Sequence, residues 1–216
     1  MAFTVTVQQT SAKANGMTAY LQVLTGQNSS QPGNTFTSQA VINDSFTPNS
    51  TSSYVTGAFI GSGTLPVAES ANSPFLYSHI SGLSYAEFEA TAPSSPVTVG
   101  VASGPTALGL AVCEIMSGSG LAIDASTPGA MAYAAVETLT SASFTPPAGS
   151  LLVLMVSSNG ASGTTAMSVS DTSGLGLTWI EQVKANGSGQ GYAGVWTAVV
   201  LAPLFTPVYI AFMSSM

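Results

Sequence analysis

Short runs in which apolar and polar residues alternate, or in which apolar residues follow one another, recur along the chain between clusters of Gly, Pro, Asn and Ser. This pattern predicts β-strands joined by turns, because a helix would bring its apolar residues back every three or four positions instead. The first residues, MAFTVTVQQTSAKANG, alternate in this way. SYAEFEATA at Ser84 puts Ala86, Phe88 and Ala90 on one face and Tyr85, Glu87 and Glu89 on the other. SFTPPAGSLLVLMVSSNG at Ser143 sets a proline pair before an apolar run, a turn feeding a strand.

This last stretch has an earlier counterpart, SFTPNSTSSYVTGAFIGSG at Ser45. Ser45, Phe46, Thr47 and Pro48 match Ser143, Phe144, Thr145 and Pro146, and Tyr54 and Val55 then match Leu152 and Val153. The flanks match in the same order: YLQVLTG at Tyr20 with VCEIMSG at Val112, and SYAEFEATA at Ser84 with GYAGVWTAV at Gly191. Matches that keep their order while their spacing only grows are what a duplication followed by loop insertion leaves behind. The expected fold is all-β, with two tandem, duplicated β-sandwich domains of jelly-roll or Ig-like type. Copy one, with an N-terminal strand, takes residues 1–104 and copy two residues 105–216, with the breaker-rich SGPTA at the junction.

In copy two, Ala193, Val195 and Thr197 repeat the face of Ala86, Phe88 and Ala90, which leaves Tyr192, Gly194 and Trp196 where copy one has Tyr85, Glu87 and Glu89. If the glutamates mark solvent, Trp196 points outward, to be covered by the neighbouring domain, another subunit or a ligand such as a sugar ring. Tyr192 and Trp196 are therefore the candidate contact residues. Trp179, in GLGLTW, reads as a core residue or a cap on the sandwich. The uncharged stretch VWTAVVLAPLFTPVYIAFM, residues 195–213, is near the length of a membrane span. Pro203 and Pro207 interrupt it, no cation flanks it, and its counterpart in copy one carries Glu87 and Glu89, so two sandwich strands are expected there instead.

Composition narrows the function. Only 5% of residues are charged, Lys13 and Lys184 are the only cations, and the formal charge is −7. Phosphate backbones are bound by clusters of Lys and Arg, so nucleic acid is not an expected partner. Cys113 is the single cysteine, in the apolar run LGLAVCEIM, and reads as a buried hydrophobe. No basic segment followed by an apolar core marks a signal peptide.

Catalytic constellations are hard to assemble from these residues. His79 is the only histidine and YSHISG has no nucleophile elbow around it, so it reads as a structural histidine. One histidine and one distant cysteine cannot make a zinc site. Glu87 and Glu89 share a strand face, too parallel to flank a glycosidic bond. Asp44, Asp124 and Asp171 sit in turn-like contexts, SVSDTSG at Ser168 reads as an Asx-turn, and MSGSG at Met116 and NGSGQG at Asn186 read as β-turns. No enzyme activity, cofactor or metal is expected.

ASFTPPAGSLLVLMVSSNG, LAIDASTPGAMA, SVSDTSGLGLTW and NGSGQGYAGVWTA together resemble minor tail or virion structural proteins of tailed phages of actinobacteria and related prophages. The resemblance rests on structural rather than catalytic motifs. It implies a virion structural protein, either a minor tail component or a capsid decoration protein. Such a protein is assembled in the host cytoplasm, is oligomeric, and works through contacts with other virion proteins without membrane insertion. The alternative is a carbohydrate-binding or host-surface adhesion module that uses Tyr192 and Trp196 on a host-surface glycan.

Overall fold

The computed structural model describes residues 1–9, 16–28, 32–63, 67–68, 74–81, 83–90, 96–103, 106–159, 167–186 and 191–201. These residues form an all-β structure of four layers. The first large sheet runs in the order β3 (Thr35–Ser38), β10 (Thr106–Ile115), β5 (Tyr54–Ser62), β8 (Leu83–Ala90) and β7 (Phe75–Ser81). One face of it is covered by a small sheet of β4 (Asn43–Phe46), β9 (Val97–Ser103) and β6 (Val67–Ala68). The second large sheet runs β11 (Ser117–Ile123), β2 (Met17–Gln27), β14 (Leu151–Ser158), β17 (Tyr192–Val199) and β16 (Ile180–Asn186), with β12 (Gly129–Ala134) also pairing along β2. Its cover is β13 (Thr138–Thr140), β1 (Val5–Gln9) and β15 (Met167–Asp171). All these pairings are antiparallel.

Three apolar cores separate the layers. Phe46, Phe59, Phe88, Val99 and Leu110 fill the first sandwich, and Val5, Leu21, Leu154, Val156 and Tyr192 fill the second. Between the two large sheets lie Ile60, Tyr85, Ala111, Cys113, Val153 and Val195. The apolar run at Leu151 now has its explanation. β14 is buried on both faces, with Leu152, Leu154 and Val156 turned into the second sandwich and Leu151, Val153 and Met155 toward the first. A strand covered on both sides carries a continuous apolar run rather than an alternating one. Each such side chain contributes roughly 1.5–3 kcal/mol by its burial.

The two sandwiches do not divide at residues 104/105. β10 lies in the first large sheet between β3 and β5, so the first sandwich is built from residues 35 to 115. β1 and β2 instead complete the second sandwich, where β2 is paired along its length to β14. The physical reason is hydrogen bonding. Each large sheet needs a long apolar strand beside its most buried one, and β10 beside β5 and β2 beside β14 provide it from across the expected junction. The strand orders nonetheless correspond: β10, β5, β8, β7 in one sheet match β2, β14, β17, β16 in the other, and β4, β9, β6 match β13, β1, β15. Phe46 and Phe144, paired by the sequence motif, are buried in corresponding cores.

Some loops depart from expectation. MSGSG is not a turn, because Ser117–Gly120 belongs to β11, and Asp44 lies within β4. Of the stretch 195–213, residues through Val199 belong to β17, while the expected final strand lies outside the described residues. So do Gly104 and Pro105 of the junction, Lys13, and most of NGSGQG. Among the described residues no helix is long and apolar enough to cross a membrane.

Candidate functional site

The glutamates on β8 do not mark solvent. Glu87 is fully buried and points from the first large sheet onto the cross-strand pair Thr18 and Ser157 of the second. Thr18 donates to its Oε1 at 2.8 Å; the Ser157 hydroxyl lies beside the carboxyl but donates to the Ala86 carbonyl at 3.4 Å, and among the described residues Oε2 has no hydrogen-bond partner. Burial pushes the Glu87 carboxyl up to about 8, against the opposing effect of the Ser157 and Thr18 hydroxyls. Two positions on, Glu89 accepts from the Tyr54 hydroxyl and from Gln22 Nε2. Burial, then the Glu89 charge, raises the Tyr54 phenol far above its ordinary value. Both carboxylates thus tie β8 to β2 across the layer between the sandwiches.

Glu114 has a different role. Its carboxylate accepts from the backbone N–H groups of Asn34 at 2.8 Å and Ser50 at 3.2 Å, binding two loops to β10. Burial alone would raise its pKa, but these donors, with Asn49 and Ser53, outweigh it and hold the carboxyl below its ordinary value. Cys113 beside it is buried and free, its thiol pushed up to about 12 by burial and then by the Glu114 charge. His79 stacks on Tyr133 with ring centroids 4.1 Å apart, a structural placement at the seam between β7 and β12. Among the described residues no three His, Cys, Asp or Glu side chains stand close enough to hold a metal ion.

The expected outward face of β17 is also corrected. Tyr192 is 0% exposed and belongs to the core of the second sandwich, and Trp196 is half-buried against that core. The premise fails because the sequence pairing of β8 with β17 places matched residues on opposite sides. Tyr85 faces the layer between the large sheets, and Tyr192 faces its own sandwich. A shift of one residue in a strand moves every side chain to the other face. Tyr192 therefore cannot touch a partner directly.

What Tyr192 does is hold Trp196. The Trp196 Nε1–H donates to Tyr192 Oη at 2.7 Å, and the Tyr192 hydroxyl donates to Glu181 Oε1 at 2.6 Å. Burial and then the Glu181 hydrogen bond raise the Tyr192 phenol far above its ordinary value, so it stays protonated and remains a donor. Glu181 is closed on its other oxygen by Lys184 Nζ at 2.7 Å. Trp196 opens at its far side onto a shallow groove of about 700 Å³, which it lines with Trp179, Leu177, Asp171 and the edge of β15. Trp179 is half-buried against the same core and donates from Nε1 to Asp171 Oδ2 at 3.3 Å. Asp171 makes the expected Asx-turn, accepting from Ser173 N at 2.9 Å.

The groove thus unites Trp196, a contact candidate from the sequence, with Asp171, which the sequence puts in a turn, and Trp179, which it reads as a core residue or a cap on the sandwich. The signal was the short spacing of SDTSGLGLTW, which folds the tryptophan back onto the aspartate eight residues earlier. In comparisons with known proteins, no family, curated protein or solved structure matches the chain.

Proposed function

We propose that the chain is a non-enzymatic structural protein of a phage virion, a minor tail component or a capsid decoration protein, that acts through protein–protein contacts. The observation that carries this reading is the absence of charge at the two ends of the first large sheet. β3 (TFTS) and β7 (FLYSHIS) carry no Lys, Asp or Glu. Sheet edges in free-standing proteins are commonly guarded by charges, Lys above all, because unpaired backbone groups invite another strand. Unguarded edges suit a subunit that is meant to have neighbours, and a surface with so few charges repels further copies weakly at long range. The carboxylates agree with this, since the buried Glu87 and Glu114 and the half-buried Glu89 join strands and loops rather than face a cleft. The corresponding strand orders fit two copies of one ancestral unit.

The test is mass spectrometry and cryo-EM of purified particles from the phage or prophage that encodes the chain. Density for the four-layered fold at repeated positions on tail or head supports the proposal. Particles that are complete and infectious without the chain would sink it.

A further inference from the structure

We propose that the groove between the β15 edge and the indoles of Trp179 and Trp196 binds a neutral sugar. This goes beyond assembly through protein contacts and does not depend on it. Both indole N–H groups already have partners inside the protein, Asp171 for Trp179 and Tyr192 for Trp196. What each ring leaves to the groove is carbon surface, held in one orientation by its hydrogen bond and by the core behind it. Flat aromatic carbon with an N–H pinned elsewhere suits the C–H face of a pyranose, and a ring fixed beforehand loses little freedom on binding.

The rest of the groove has matching chemistry. Ser168 and Ser170, both exposed, bring hydroxyls to the rim, and the Asp171 carboxylate keeps lone pairs for a sugar hydroxyl beyond those used by Ser173 and Trp179. Gly174 and Gly176 turn the loop with φ of +66° and +67°, and a Cβ added at either would meet nothing within 4 Å. No side chain from these two positions stands over the rings. Among the described residues no Lys or Arg lines the groove, and Asp171 is an acid, so phosphate, sulfate and uronate groups are disfavoured. A neutral, hydroxyl-rich ring is the ligand class that meets all of these features.

The full-length protein is tested on an array of neutral and acidic oligosaccharides. The best-retained neutral oligomer is then titrated while tryptophan fluorescence is followed. Retention of neutral oligomers is expected, with a fluorescence change on binding and affinity weakened about tenfold or more by Trp179→Ala or Trp196→Ala. Because each of these also thins the core, Ser168→Arg serves as a second variant. It leaves the core intact, and it is expected to abolish binding with an unchanged melting temperature. Retention of no glycan, preference for acidic ones, binding insensitive to all three substitutions, or displacement only by a peptide added along β15 would each overturn the proposal.

Discussion

Replacing Glu87 by glutamine should convert a pH-dependent stability into a flat one. The carboxyl sits wholly between the two large sheets, where among the described residues Thr18 donates to one oxygen and the other has no hydrogen-bond partner. In the folded chain its pKa is raised to about 8, against an ordinary value of 4.5. The folded state therefore holds the proton more tightly than the unfolded one. The sign follows from this difference: the contribution is fully present below the ordinary value and is lost as pH rises through about 8. At about 1.4 kcal/mol per pH unit, a gap between 4.5 and 8 amounts to roughly 5 kcal/mol at most. Glutamine keeps the shape and the acceptor for Thr18 without a proton to lose. Urea denaturation followed by tryptophan fluorescence should give Glu87→Gln within about 1 kcal/mol of the parent at pH 5, and several kcal/mol more stable at pH 9. A difference between the two proteins that is the same at pH 5 and pH 9 would refute the reasoning.

Other perturbations follow from the same packing. Gly57→Ala should cost about 1–3 kcal/mol in the same denaturation assay, because its Cβ would stand 2.5 Å from both the Phe88 ring and the Ala111 carbonyl oxygen. Cys113 should react with iodoacetamide only as the chain unfolds, so its labelling should track the urea transition; fast labelling of the folded protein would contradict its burial. Glu114→Gln should destabilise by about 1–3 kcal/mol at neutral pH, since it weakens a charged acceptor shared by two loops. With its pKa held low, the contribution of Glu114 is present above the ordinary carboxylate range and lost as pH falls through the depressed value. The deficit of the variant should accordingly fade in acid, which thermal melts at successive pH values would show.

The strands were legible in the sequence because their alternation and turn residues act locally. The turn before β14, which runs from Pro147 to Ser150 at the proline pair, the Asx-turn at Asp171 and the buried Cys113 all stand where the pattern puts them. What covers a strand face was not legible. Glu87 and Glu89 read as solvent markers because a lone sandwich would expose them, but Thr18 and Gln22 meet them once a second sheet packs against β8, and Tyr54 of the neighbouring β5 donates to Glu89 as well. The origin of β2 and β10 was hidden for the same reason. Sequence matches locate similar strands, whereas sheet pairing decides which sandwich each strand completes. The groove at Trp196 was half legible. One tryptophan was singled out for the wrong reason, and its partners Trp179 and Asp171 came together only through the loop that returns to β15.

The arrangement of β2 also constrains the order in which the chain can be built. β2 ends at Gln27, whereas β14, its partner along its whole buried length, begins only at Leu151. During synthesis the first sandwich has all its strands once Ile115 has been made, but β2 must wait, largely apolar and unpaired, until the later strands emerge. Closure of the second sandwich is thus the late, long-range step, and contacts so distant in sequence form slowly. A chain cut between β2 and β3 should keep a foldable first sandwich yet forfeit the other unless the severed ribbon is supplied in trans.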